Sequence, residues 1–107
     1  MEIYCKYKDL LDKAVEYSKK LNIDHHNCVL DIKRLPPSFK QQGLIEHPRK
    51  LEGTTYLNIY IRMNDERYVT LAHEMVHAKQ VLNGEELCEH EAYLREKTLD
   101  NDPQKIV

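Results

Sequence analysis

One segment leaves this chain less freedom than any other. From about Asn64 to Leu82 the sequence reads as a helix. Within it Leu71, Ala72, Val76, Ala78 and Val81 flank the run His73-Glu74-Met75-Val76-His77, the distribution expected of a largely buried helix. Asn64 or Asp65 is placed to cap the start, and Asp65 and Glu66 would stand in the first turn, where the helix dipole favours acids. Asn83-Gly84 is a strong C-terminal stop.

His73 and His77 lie one helical turn apart, and residues at that spacing are surface neighbours, about 5–6 Å between Cβ atoms. Two imidazoles so placed can reach one ion at zinc–nitrogen distances of about 2.0–2.1 Å. Glu74 stands about 100° round the helix from His73, beside an open coordination position rather than in it. Water on zinc has its pKa lowered toward neutrality, and a carboxylate so placed can take the proton as the water attacks a polarised carbonyl. The bland alternative is a solvated helix face on which two histidines pair with a glutamate. A catalytic zinc site takes three protein ligands and keeps one position open. The third is expected from the next element, a helix read from about Glu85 to Leu99, which offers Glu85, Glu86, Glu89, His90 and Glu91.

Upstream, a helix is expected from about Tyr4 to Leu21, with Leu10, Leu11, Ala14, Val15, Ser18 and Leu21 inward and Lys13, Glu16, Lys19 and Lys20 outward. Asn22 is its stop. Val29–Lys33 alternates as a short strand, and Pro36-Pro37 marks a connection. Gly43–Glu46 reads as a second short strand, closed by His47-Pro48 and Gly53. The clearest strand is Thr54–Arg62: Leu57, Ile59 and Ile61 point one way, Tyr56, Asn58, Tyr60 and Arg62 the other. Helix, strands, helix, helix is the order of an α+β domain.

With 107 residues and 12.7 kDa, one domain is expected. No apolar run approaches the ~20 residues of a membrane span. A formal net charge of −2 argues against a dedicated nucleic-acid binder. Cys5, Cys28 and Cys88, an odd number without close pairs, fit reduced thiols. Met1–Lys8 lacks the apolar core of a signal peptide, and the expected location is cytoplasmic, in a microbe or a phage-infected cell.

His73-Glu74-Met75-Val76-His77 followed by Glu89-His90-Glu91-Ala92-Tyr93 resembles the gluzincin branch of the zincin metallopeptidases, closest in style to the one-domain minigluzincins and the ImmA/IrrE-like and SprT-like small zincins. The resemblance covers about Thr54 to Tyr93. It implies a minimal zincin-like fold: a backing helix, a twisted sheet of about three strands, an active-site helix and a glutamate helix. It also implies one Zn2+ ion and hydrolysis of peptide bonds. His73 and His77 become ligands, Glu74 the general base, Glu89 the third ligand, and Ala92 the small residue that lets the helices approach. Glu91 and His90 are the alternatives to Glu89. In the family an Asp or Asn follows that Ala. Here Tyr93 stands in its place, so the acceptor that orients a zinc histidine must come from elsewhere or from the Tyr93 hydroxyl.

Tyr93 lies one turn beyond Glu89 and is a candidate oxyanion donor, against the plainer role of sealing helix to sheet. Cys88 is either a small buried residue or an inhibitory thiolate on the metal. The resemblance implies a protein or peptide substrate bound as an extended strand along the sheet edge. Thr54–Arg62 is the strand long enough to serve, with Asn58 and Tyr60 lining the cleft if it is the edge. Lys33, Arg34, Lys40, Arg49 and Lys50 are solvated loop charge or a DNA contact, and His25-His26 is an exposed turn or a second metal site. The tail ending Lys105-Ile106-Val107 is a candidate cleft blocker. The rival function is a regulatory or interaction protein that keeps the scaffold and zinc but does not cut, with Cys88 or His90 closing the coordination shell.

Overall fold

The computed structural model describes residues 1–100. Eight elements follow one another: β1 (Glu2–Cys5), α1 (Lys8–Lys20), β2 (Cys28–Arg34), β3 (Gly43–Ile45), β4 (Arg49–Leu51), β5 (Thr54–Ile61), α2 (Arg67–Leu82) and α3 (Glu89–Asp100). The strands form one mixed sheet. β1, β2 and β5 run parallel in that order, and β3 and β4 pair antiparallel with the other side of β5.

Register explains the core. Ile3, Leu30 and Leu57 lie side by side across three strands, as do Cys5, Ile32 and Ile59. Because side chains alternate between faces, these rows and Ile61 share the face covered by the helices. Leu30, Leu57, Ile59 and Ile61 are buried in one apolar cluster with Leu10, Ala14 and Tyr17 of α1, Leu71, Ala72, Met75 and Val76 of α2, and Ala92 and Leu99 of α3. Each buried Leu or Ile contributes about 1.5–3 kcal/mol. α2 packs against α1, α3, β3 and β5, which is why its apolar residues are spread around it rather than striped.

Both helix stops act as read. After α1, Asn22 takes a left-handed conformation (φ 56°), its N–H reaching Lys19 O and the Ile23 N–H reaching Ser18 O. After α2, Gly84 (φ 72°) repeats the pattern, with Gly84 N–H on Val81 O and Glu85 N–H on Gln80 O. These are the reciprocal bonds of a Schellman ending, which satisfy the last carbonyls.

Several expectations are corrected. Tyr4 does not begin a helix: Glu2–Cys5 is a strand, and α1 starts at Lys8. Glu2 and Tyr4 are exposed while Ile3 and Cys5 are half-buried, a period of two that is stable only because β2 lies alongside. Tyr17, fully buried, takes the place expected of Val15, which is exposed. The sheet has five strands rather than about three. β4 was hidden because Glu52 and Gly53 (φ 52° and 82°) make a two-residue turn into β5, and Glu is an unusual residue for that conformation. α2 starts at Arg67 with no acid in its first turn, since Asn64–Glu66 form a lead-in turn. α3 starts at Glu89, not Glu85. Finally β5 is internal, paired on both sides, and is no edge for a substrate. Asn58 and Tyr60 lie on the sheet face away from the helices and do not line the cleft described below.

No helix among the described residues is long and apolar enough to cross a membrane. The tail ending Lys105-Ile106-Val107 lies outside the described residues.

Candidate metal centre

α2 carries His73 and His77 one turn apart on the flank that meets α3, and Glu89 opens α3 directly across from them. Glu89 Oε2 lies 3.1 Å from His73 Nε2, and its Oε1 lies 2.7 Å from His77 Nε2. One ligand atom from each of the three residues can be chosen so that all lie within 4.8 Å of one another. Neither His90, which is exposed, nor Glu91 joins them; Glu91 is bound to Lys79 and Gln80. Cys88 is exposed rather than buried and also stays outside the cluster. Among the described residues, Glu89 is thus the carboxylate brought to both rings.

The other nitrogen of each ring is held as well. His73 Nδ1 lies 2.7 Å from Glu96 Oε2, and His77 Nδ1 lies 2.8 Å from Gln80 Oε1. Gln80 is fully buried, and its amide orientation is forced. Its oxygen accepts the Cys88 N–H at 3.0 Å, while its nitrogen donates to Cys88 O at 3.0 Å and to Glu91 Oε1 at 2.7 Å. Both Nδ1 atoms therefore face acceptors and must donate, which fixes the tautomer of a neutral imidazole. A neutral ring has one N–H. With it spent at Nδ1, each Nε2 turns a lone pair toward a Glu89 oxygen, and two acceptors at such distances need a positive charge between them. A second proton on the rings supplies it, or a cation at the shared point does.

Two neutral imidazoles and a carboxylate form a donor set that zinc accepts with one position left over. The Nδ1–H groups on Glu96 and Gln80 are the outer contacts that metal-binding histidines usually make. The residues present fit the ion.

Glu74 points from α2 toward β3 and is 7% exposed. Burial pushes its carboxyl above the usual carboxylate range; His73 and His77 oppose that, while Glu89 and Glu96 add to it. Gly43 of β3 comes close to this side chain. A Cβ at Gly43 would lie 2.6 Å from Thr70 Cγ2 and 3.0 Å from Glu74 Oε2, so the approach of strand to helix requires glycine. A cleft of about 420 Å³ opens here between Gln41–Gly43, the first half of α2 and α3. Tyr93 lines it, 58% exposed, with its ring edge-on to His73 at 4.7 Å between centroids. Sealing helix to sheet is therefore not its role. Ala92 is fully buried in the α2–α3 contact, as expected of the small residue there.

The remaining candidates lie apart. His25 and His26 stack on each other at 4.5 Å, and His26 Nε2 meets Asn83 Oδ1 at 3.0 Å. Lys33, Arg34, Lys40, Arg49 and Lys50 are all exposed, and none lines the cleft. Lys33 and Arg34 instead border a separate hollow of about 450 Å³ near the ends of β1 and β2.

Sequence reasoning missed Gln80 and Glu96. Their signal is positional: His73, His77 and Gln80 form an i, i+4, i+7 polar stripe on α2, and Glu89, Tyr93 and Glu96 form the same stripe on α3. No model of a known protein family, no curated protein and no solved structure matches this chain.

Proposed function

We propose that this chain is a zinc-dependent metallopeptidase of gluzincin type, built on a minimal zincin-like scaffold. The observation that carries the proposal is the pair of imidazoles whose Nδ1 atoms are committed to Glu96 and Gln80 and whose Nε2 atoms converge on Glu89. His73, His77 and Glu89 would hold the ion. Zinc in such a site supplies Lewis acidity, polarising a carbonyl and making water more acidic.

The chain's own groups supply the rest. Glu74, buried beside the cleft, takes a proton from the attacking water on a carboxylate oxygen and returns it to the departing amine nitrogen. Its burial favours the protonated form between those two transfers. Tyr93, on the rim, is the candidate donor to the carbonyl oxygen as negative charge develops there. β3 is an edge of the sheet and runs into the cleft at Gly43. An extended peptide added along it gains main-chain hydrogen bonds and lies over Glu74. A site that held zinc without cutting would be expected to fill the fourth position with protein, and neither Cys88 nor His90 is in the cluster.

The test is cleavage of an unfolded protein by the zinc-loaded chain. Cleavage is expected to stop with chelator, return with zinc, and fall by about 10²–10⁴-fold in Glu74→Gln, the usual worth of a general base. Equal cleavage by wild type and variant would defeat the proposal.

A further inference from the structure

The cleft continues past the candidate metal centre along α2. Glu66, Val69, Thr70 and His73 all line it, and their i, i+3, i+4, i+7 spacing makes them one stripe. Resting on the reading of this site as peptide-cleaving, we infer that the cleft selects a lysine or arginine beside the scissile bond, with the Glu66 carboxylate receiving its charged end.

Four carboxylates and no Lys or Arg line the cleft among the described residues. Three of the four are committed: Glu89 to both imidazoles, Glu96 to His73, and Glu74 to its buried place beside Gly43. Glu66 is not. It occupies the N-cap position of α2 but makes no capping bond with its side chain, and no ion pair or side-chain hydrogen bond engages its carboxylate among the described residues. Seven residue steps along α2 separate it from His73, a rise of about 10 Å. That is the reach of a long side chain starting near the ion. Val69 and Thr70 lie between, offering methyl groups to an aliphatic stem, and Lys and Arg pair such a stem with a charged head.

The facing wall is fixed. Arg62 donates through Nε and Nη2 to Gln41 O at 3.1 and 2.9 Å and through Nη2 to Phe39 O, and its own N–H reaches Gln42 O at 2.8 Å. Gln42 Oε1 accepts from Asn64 Nδ2 at 2.8 Å. The nearby arginine is thus spent on holding the loop and does not compete for Glu66.

The experiment uses zinc-loaded Glu74→Gln chain and eight-residue peptides that differ at one position: arginine, norleucine or glutamate. Binding is measured by fluorescence anisotropy, so no cleavage is needed. Glu66 is exposed, so the arginine peptide is expected to bind about fivefold tighter than the norleucine peptide, the upper end for a solvent-exposed ion pair, and more tightly still than the glutamate peptide. Adding Glu66→Gln should erase the difference, and adding Glu66→Lys should reverse it in favour of glutamate. A preference below twofold, one indifferent to Glu66, or no binding of any peptide overturns the inference. If wild type cuts peptides without such preference, the proposed activity stands and this inference alone fails. If charge selection appears but wild type does not cut, Glu66 still receives the charged side chain, but the proposed activity fails and with it the placement beside a scissile bond.

Discussion

Replacing Gln80 by methionine keeps the length and bulk of a fully buried side chain while deleting all four of its hydrogen bonds. Three of those bonds are to neutral partners, each worth about 0.5–1.5 kcal/mol net, and the one to Glu91 is charge-assisted, worth about 1.5–3 kcal/mol. Cys88 is exposed, and Glu91 keeps Lys79 and Arg95 as partners, so water and those cations recover part of the loss. The His77 Nδ1–H, on a ring 4% exposed, has no such recourse. The net cost is about 3 kcal/mol, which for a chain of this length lowers Tm by about 13 °C. Thermal unfolding in chelator measures this without any metal. Zinc affinity should fall by a further 10–100-fold, roughly the effect of losing an outer-shell partner, as read by competition with a chelating dye. A metal-free Tm within about 3 °C of wild type would show that the amide is not organising His77 and the loop before α3, and the reasoning would fail.

Gly43→Ala drives a methyl into Thr70 Cγ2 and against Glu74 and should cost about 1–3 kcal/mol, as overpacking does. Thr70→Ser in the same chain removes the methyl it strikes and should restore much of the stability in denaturant titrations. Asp9 accepts from Arg67 Nε at 2.9 Å and from the Tyr68 hydroxyl at 3.0 Å, and the Arg67 bond chiefly holds its carboxyl below the usual range. A depressed carboxylate stabilises above its unfolded pKa of about 3.9 and loses that contribution as pH falls through the folded value. Asp9→Asn should therefore lower Tm at pH 7 and converge with wild type at pH 2; a constant gap would refute the pairing. Burial pushes the Cys28 thiol up to about 11, whereas Cys88 is exposed. A thiol reagent at pH 7 should modify Cys88 in the native chain and reach Cys28 only on unfolding, as peptide mapping would report.

How much of this was legible in the sequence depended on the range of the interaction. His73, Glu74 and His77 stand within one turn of one helix, so local periodicity is enough to bring them together. The stops at Asn22 and Gly84 were readable for the same reason. β1 and β4, four and three residues long, exist only through pairing with β2 and β5. Neither carries a local pattern that separates a strand from the start of a helix or from a loop. The start of α3 was misjudged because Gln80, eight residues upstream, takes both the N–H and the carbonyl of Cys88 and holds the preceding loop open. Glu96 could be tied to His73 only once α2 and α3 lay side by side, whereas Gln80, three residues from His77 on the same helix, was within reach of local periodicity. The internal position of β5 likewise follows from tertiary pairing, which alternation within a strand does not encode.

Titration of the chelator-stripped chain with zinc, followed by calorimetry, tests the central claim most directly. One ion per chain is expected, because the three residues form one donor set. Glu89→Ala and His77→Ala should each weaken binding by more than the about 10–100-fold that outer contacts carry. Absence of saturable binding, or binding unchanged in both variants, would contradict the account.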